Sequence, residues 1–215
     1  MRARMQAGLW KREARNTHIP PGGLVMIYII RHGKTELNKA FVLQGRSNYP
    51  LNEEGIRQAG EAAQGLKNIE FSYVFSSPLV RAVQTARIVA PGAAITVDER
   101  LIEMDYGPYE GTDLRDPGPE ITRFFSDFVH NPAPEGMESL ESVVSRTGEF
   151  IEDIRSLTGD ILISTHAIAM KGILENLTPG SNGSYWPKNI GNCDVYAASH
   201  SGRDIGVPKH FIITS

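Results

Sequence analysis

Two apolar runs of this chain end alike: Ile27-Tyr28-Ile29-Ile30 leads into Arg31-His32, and Ile161-Leu162-Ile163 leads through Ser164 into Thr165-His166. A third, Tyr73-Val74-Phe75, runs towards Arg81. Each run has the length of a buried strand, and in an open parallel sheet the ligand site lies beyond the carboxyl ends of the strands. Residues distant in sequence then converge, and His32, His166, Arg31 and Arg81 are expected around one cavity. Guanidinium forks match the oxygens of a phosphoryl group, and a neutral imidazole can serve as nucleophile or hydrogen-bond donor. Phosphoryl transfer needs mainly positioning and charge stabilisation. A helix beginning near Thr35 is expected to add backbone N–H groups and a positive dipole end close to His32.

The elements that must position these residues follow from periodicity. Strands are predicted at 26–30, 71–75 and 161–164, and helices at 53–66, 79–89 and 167–177, the alternation of βαβ units in an α/β protein. The best helix is 139–157, where Leu140, Val143, Val144, Thr147, Phe150, Ile151, Ile154 and Leu157 share one face and Ser139 is a plausible N-cap. Residues 107–119 carry glycines and prolines and read as a lid or excursion. A short helix around 121–129 follows, with Phe124, Phe125 and Phe128 on one side; packing on the core is preferred to a substrate-facing role. Residues 195–198 and 211–214 are predicted as two strands closing the sheet.

The stretch Arg31-His32-Gly33-Lys34-Thr35-Glu36-Leu37-Asn38 resembles the R-H-G-x-T-x-x-N signature of the histidine phosphatase, or phosphoglycerate mutase-like, superfamily. In the family's order the resemblance continues through Gln44-Gly45, Pro50-Leu51, Gly55, Gln58-Ala59, Ser76-Ser77-Pro78-Leu79, Arg81-Ala82, Gln84-Thr85-Ala86, Leu101-Ile102-Glu103, Tyr106-Gly107, Glu110-Gly111, Gly136-Met137-Glu138-Ser139 and His166. It implies a single-domain α/β/α sandwich with a mostly parallel central sheet. Carried over by position, it implies that His32 attacks phosphorus, that Glu103 protonates the leaving oxygen and later activates water, and that Arg31, Asn38, Arg81 and His166 hold the phosphoryl oxygens, with Gln44 and Gly45 beside them. Neither metal nor other cofactor is implied. Asn48 stands where the family often has Asp, Arg46 where an aromatic is common, and Ala167 where Gly is usual; these departures bear on the substrate pocket rather than the chemistry.

The resemblance also offers two branches. Mutases of the superfamily carry Glu-Arg-His-Tyr-Gly, whereas this chain reads Glu103-Met104-Asp105-Tyr106-Gly107. Asp105 in place of a cation should repel a carboxylate-bearing ester and leave less to retain the dephosphorylated intermediate, which favours hydrolysis. The expectation is a metal-independent, histidine-acid-type phosphomonoester hydrolase acting on a small phosphorylated metabolite. The alternatives are a phosphoglycerate mutase-type phosphotransferase and, in another class, a catalytically silent phosphoester-binding domain on the same fold.

Composition sets the remaining bounds. The chain has 215 residues, 40% hydrophobic and 22% charged, with a net charge of -3. That is one domain's worth of core, with no overall attraction for nucleic acid or an anionic membrane. Its apolar runs are shorter than a bilayer span, and the single Cys193 cannot form an internal disulfide, so the reading is a cytoplasmic protein of a reducing compartment. A homodimer is compatible with this reading. Residues 1–25, basic and ending near Pro20-Pro21-Gly22-Gly23, are expected to be a disordered or non-native extension, with the domain at 26–215. Gly33-Lys34-Thr35 is not the end of a Walker A loop, since that motif needs Gly where Tyr28 stands. Cys193 is read as a small buried residue, and His18, His130, His200 and His210 as surface or structural. Asn176-Leu177-Thr178 and Asn182-Gly183-Ser184 fit the glycosylation sequon, which carries no weight without a secretory route.

Overall fold

The computed structural model describes residues 25–201 and 204–212. Strands β1 (Val25–Arg31), β2 (Phe71–Ser76), β3 (Ile95–Val97) and β4 (Asp160–Thr165) form the parallel part of one sheet in the order β3-β2-β4-β1. β5 (Val195–Ser201) pairs antiparallel with β1, and β6 (Asp204–Ile205) and β7 (Lys209–Phe211) pair with the far side of β5. The helices are α1 (Glu36–Lys39), α2 (Glu53–Leu66), α3 (Val80–Val89), α4 (Gly118–Ser126), α5 (Leu140–Ile154) and α6 (Ala167–Leu177).

Strand alternation sorts side chains to the two faces of the sheet. Ile27, Ile29, Phe75, Ile161 and Ile163 pack with Phe150, Ile151 and Ile154 of α5 and with Met170 and Ile173 of α6. Their neighbours Tyr28, Ile30, Val74 and Leu162 pack on the opposite face with Ala59, Ala62 and Leu66 of α2 and Ala86 and Val89 of α3. The architecture is therefore the α/β/α sandwich expected. Small residues on α2 and α3 let those helices lie close to the strands, and Asn52 starts α2 by accepting the Gly55 N–H at 2.8 Å.

A third apolar cluster lies over one end of the sheet. Leu43, Met104, Tyr106, Ile121, Phe124, Leu140, Val143, Ile168 and Trp186 form it, with Phe125 and Phe128 partly buried against it. Phe124 is thus core, as preferred from the sequence, and Phe128 remains half-buried.

Several expectations change in detail. The helix near Thr35 is a single turn, and its capping box takes up the N–H groups of Thr35 and Asn38. β3 was not predicted, because three residues are too few to show a period. α5 ends at Ile154, although Leu157 is still buried in the core beyond it. The last strand pairs at Lys209–Phe211 rather than 211–214, of which Ile213 and Thr214 lie outside the described residues. Of the extension expected at 1–25, residues 1–24 lie outside the described residues, and Val25 already pairs with His200 as the first residue of β1. Among the described residues no helix is long and apolar enough to cross a membrane.

Candidate active site

The carboxyl ends of β1 and β4 and the start of α3 meet at one point. Arg31 and Thr165 are register partners, so His32 and His166 leave adjacent strands side by side, with ring centroids 5.1 Å apart. Gly33 carries the chain from β1 past α2: a Cβ there would lie 2.5 Å from the Gly55 carbonyl oxygen, a spacing only glycine permits. Gly33 N–H donates to Thr85 Oγ1 of α3 at 3.1 Å, and Thr85 in turn donates to the Arg81 carbonyl at 2.8 Å. These bonds tie the loop bearing His32 to the helix bearing Arg81.

His32 is buried and doubly fixed. Nδ1 lies 2.7 Å from the Gly33 carbonyl oxygen, which can only accept, so Nδ1 carries the proton and Nε2 presents a lone pair. Arg81 Nε donates to that Nε2 at 3.2 Å. Burial, then the charges of Arg81 and Arg31, hold the His32 pKa well below 6.5, so the imidazole is neutral at neutral pH. His166 is held low in the same way, by burial first and then Arg81. The Ser77 hydroxyl, which accepts the Leu79 N–H, also lies 2.7 Å from His166 Nε2, and His166 Nδ1 has no partner.

Arg81 is fully buried. Besides the bond to His32, Nη1 donates to the Ser47 carbonyl and Nη2 to the Gly45 carbonyl, both at 2.7 Å. Two of the five guanidinium N–H groups remain. Burial brings its pKa down to about 10, which still leaves it charged at neutral pH. Arg31 donates from Nη1 to the Ile190 carbonyl at 2.5 Å, while its buried Nε has no partner. Burial likewise lowers its pKa, with Glu103 the main opposing charge.

Glu103 is buried beside them, its carboxylate seated on the N-terminus of α6: Oε1 accepts the Ala169 and Met104 N–H groups at 3.0 and 2.9 Å, and Oε2 accepts Ile168 N–H at 3.2 Å. The helix end at this site therefore holds the carboxylate, not the incoming anion.

The remaining predicted residues divide. Asn38 Oδ1 serves the Thr35 cap and meets Asn192 Nδ2 at 3.4 Å, so its amide nitrogen is what it can offer an anion. Gln44 accepts from Thr35 Oγ1 at 2.8 Å, and its buried Nε2 is unpartnered. Gly45 holds Arg81 through its carbonyl; a Cβ there would lie 2.7 Å from the Met104 oxygen. Four buried side-chain polar atoms among the described residues lack a partner, and Arg31 Nε, Gln44 Nε2 and His166 Nδ1 are three of them. Buried polar atoms are normally satisfied, so three orphans among the expected anion-holding residues mark a ligand site.

Other residues here were given no role from the sequence. Tyr106 is buried, its phenol pushed well above 10 by burial and by Glu103, with Arg31 opposing. Asn192 donates to the His32 carbonyl at 3.0 Å, from a loop whose only sequence signal was a Gly191-Asn192 turn. Lys171 of α6 is buried, and its Nζ donates to the Trp186 carbonyl at 2.6 Å and lies 5.2 Å from the centre of the Phe128 ring. It follows Ile168 by three residues on α6, the spacing of one helix face.

The departures gain local reasons. Asn48 Oδ1 accepts the Val80 N–H at 2.7 Å and so caps α3, a task an amide oxygen performs as well as a carboxylate. Arg46 pairs with Asp105 at 3.2 Å and lies 3.5 Å from Glu138, which an aromatic could not do. Cys193 is buried, as expected, and burial pushes its thiol up to about 12. His200 is a buried structural residue bonded to the Arg155 carbonyl, while His130 is exposed. His18 lies outside the described residues. No cluster of three or more His, Cys, Asp or Glu side chains that could hold a metal ion occurs among the described residues.

Comparison with known proteins finds one superfamily. The profile of the histidine phosphatase superfamily, branch 1, matches residues 27–210. Mouse fructose-2,6-bisphosphatase TIGAR is 30% identical over 207 residues, covering 87% of this chain and 71% of the relative. The probable phosphoglycerate mutase GpmB of Yersinia pestis is 32% identical over 162 residues, covering 72% and 75%. Among solved structures, phosphoserine phosphatase from Entamoeba histolytica, in complex with 3-phosphoglyceric acid, superposes with a TM-score of 0.74 at 26% identity, covering 89% of this chain and 97% of that one.

Proposed function

The chain belongs to branch 1 of the histidine phosphatase superfamily, and from that premise we propose that it is a metal-independent, histidine-acid-type phosphomonoester hydrolase that passes the phosphoryl group of a small phosphorylated metabolite through His32. The observation that carries the reading is a neutral, buried imidazole whose unprotonated Nε2 faces a guanidinium at 3.2 Å. A phosphoryl group that takes the place of this hydrogen bond meets a nucleophile and a charge clamp at once.

In the first half-reaction His32 Nε2 attacks phosphorus, the bond from phosphorus to the ester oxygen breaks, and Glu103, as general acid, gives a proton to the departing alkoxide. In the second, water attacks the phosphohistidine, Glu103 takes the proton of that water, and inorganic phosphate leaves with His32 restored. Arg31, Arg81, Asn38, Gln44 and His166 hold the equatorial oxygens, on which the charge of the transition state is spread. The relatives support a small-metabolite substrate: one is named for a sugar bisphosphate and another for phosphoserine.

A phosphotransferase reading is favoured by one observation. Asp105, whose charge was expected to repel a carboxylate-bearing ester, is paired with Arg46 at 3.2 Å and also accepts the Gly107 N–H at 2.8 Å. The pairing offsets part of that charge, which weakens the sequence argument for hydrolysis over retransfer.

The test is hydrolysis of p-nitrophenyl phosphate in EDTA by the wild type and His32→Ala, with 3-phosphoglycerate isomerisation assayed alongside. The expected outcome is turnover that falls by at least ~10³-fold in His32→Ala, with no isomerisation. Isomerisation primed by a bisphosphoglycerate would assign the mutase reading instead. Absence of both activities would leave a silent phosphoester-binding domain.

A further inference from the structure

Glu103 lies in a segment without regular structure, between a single turn of 3₁₀-helix at Glu99–Leu101 and Tyr106, where backbone groups have no ladder to satisfy them. Side chains do so instead. Arg146, on α5, donates from Nη1 to the carbonyls of Arg100 and Ile102 at 2.8 and 2.6 Å. The carbonyl between them, that of Leu101, accepts from Thr165 Oγ1 at 2.7 Å. The rest of the Arg146 fork grips Glu138: Nε reaches Oε1 at 2.9 Å and Nη2 reaches Oε2 at 3.2 Å. Glu138 then closes the loop from the other side, because its Oε2 accepts Asp105 N–H at 3.1 Å and its own N–H donates to the Asp105 carbonyl at 2.8 Å.

The chain is thus held just before Glu103, at Ile102, and just after it, at Asp105, by one ion pair whose side chains are 15% and 9% exposed. A pair this shielded and this fully hydrogen-bonded fixes geometry in a way that an exposed surface pair does not. Burial works to raise the Glu138 pKa, but the bonds and charge of Arg146 bring it below 4.5 overall, so both partners are ionised at neutral pH. The carboxylate of Glu103 is meanwhile pinned to α6 by the Ile168 and Ala169 N–H groups. Chain and head group are therefore referenced to two different helices, α5 and α6.

We propose that Arg146, oriented by Glu138, is a positioning residue for proton transfer at Glu103: it clasps the segment on both sides and sets where the carboxyl stands relative to the leaving oxygen. The inference rests on the reading of Glu103 as acid and base. The hydrogen bonds of Arg146 run to Glu138 and to the carbonyls of Arg100 and Ile102, so it acts on the segment that carries Glu103.

The experiment compares kcat/KM for p-nitrophenyl phosphate and phenyl phosphate, esters of similar shape whose leaving groups differ in their need for a proton. kcat/KM reports only the steps up to phosphorylation of His32, so the shared hydrolysis step does not blur the comparison. Arg146→Met is expected to lower kcat/KM for phenyl phosphate by roughly 10- to 100-fold, and for p-nitrophenyl phosphate by no more than about 3-fold, since general acid catalysis matters most for the poorer leaving group. In a Glu103→Gln background the same substitution should add no more than about 2-fold, because two residues acting through one group are not additive. Arg146→Lys cannot rebuild the fork and should restore only part of the loss; Glu138→Gln should show the same leaving-group dependence more weakly, and both serve if Arg146→Met fails to fold. Equal losses on the two esters, or a full additional loss in the Glu103→Gln background, would overturn the clasp. If Glu103→Gln itself matches the wild type on both esters, Glu103 is not the acid, and the clasp falls with that reading.

Discussion

The site has a floor and a roof built on different principles. The floor, made by Arg31, His32, Arg81 and His166, rests on the ends of hydrogen-bonded parallel strands and on α3, and polar contacts specify it: His32 through Gly33 and Arg81, Arg81 through Gly45 and Ser47, His166 through Ser77. The roof, made by Met104, Tyr106, α4 and Trp186, is apolar and arises from loops and a short helix. A phosphoryl group is the same in every ester, so a floor that binds it has little freedom of sequence or geometry. The alcohol varies from substrate to substrate, and a roof of packed rings can be reshaped without disturbing the sheet. The two regions should therefore fail differently when altered.

The largest effect should come from the floor. Arg81→Met removes the guanidinium facing His32 and is expected to lower kcat/KM by ~10³-fold or more, with the same factor for every phosphate ester tried. Arg81→Lys should not rescue it, since an ammonium cannot hold the Gly45 and Ser47 carbonyls while also reaching His32 Nε2. Steady-state kinetics on three esters of unlike alcohols would check this, with circular dichroism to confirm folding. A loss that varied widely among the esters would mean that Arg81 also reads the alcohol, and the division between floor and roof would not hold.

That division also explains what was legible in the sequence. His32, Arg31, Arg81 and His166 could be placed because strand ends are visible as abrupt stops in apolar runs, and parallel strands have only one end at which such residues can gather. The boundaries of α2 and α6 were readable for a related reason, since an amphipathic face and flanking polar residues act locally. Glu103, by contrast, has no periodic segment around it and was placed only by resemblance. Its support comes from Arg146, Glu138 and the start of α6, three contacts that no local pattern records. Lys171 was invisible because a lysine in a helix is ordinarily solvated, and only the tertiary fold buries it. The pairing of Asp105 with Arg46 was hidden in the same way, since no local pattern joins the two residues.

Lys171, on the boundary between floor and roof, should give the next largest effect, and on stability rather than turnover. Burial lowers its pKa from 10.5 to about 8, with Glu103 opposing. Below about pH 8 the folded state carries a desolvated ammonium, and that penalty fades as pH rises towards 10.5, because there the unfolded chain alone still binds the proton. The wild type should thus gain up to about 3 kcal/mol from this group between those limits. Lys171→Met should lose that gain while leaving the Trp186 carbonyl unpaired, a cost of about 1–3 kcal/mol at every pH. Urea unfolding of both proteins from pH 7.5 to 10.5 would test it, the difference between them cancelling the tyrosines they share. Parallel stability curves would show that Lys171 is solvated in the folded protein and that the roof does not seal there.

The smallest effect expected, that of Phe128, is also the one that most directly separates roof from floor once its neighbour Phe124 is set beside it. Phe124 and Phe128 face each other with ring centroids 5.0 Å apart, but Phe124 is 1% exposed while Phe128 is half-buried and reaches towards Lys171 and Trp186. Phe124→Ala opens a cavity in the third cluster and should cost about 3–5 kcal/mol of stability, with the ranking of substrates unchanged. Phe128→Ala removes partly exposed surface, so it should cost only about 1 kcal/mol of stability. Its KM values should shift unequally, rising roughly 3- to 10-fold for esters of bulky apolar alcohols and hardly at all for small polar ones, the range a few lost apolar contacts can give. Melting temperatures and KM for p-nitrophenyl, phenyl and glycerol phosphates would separate the two side chains. A Phe128→Ala protein with an unaltered ranking of substrates would make that ring structural like its neighbour, and the recognition of the alcohol would then have to lie nearer the floor, at Tyr106 and the segment that carries Glu103.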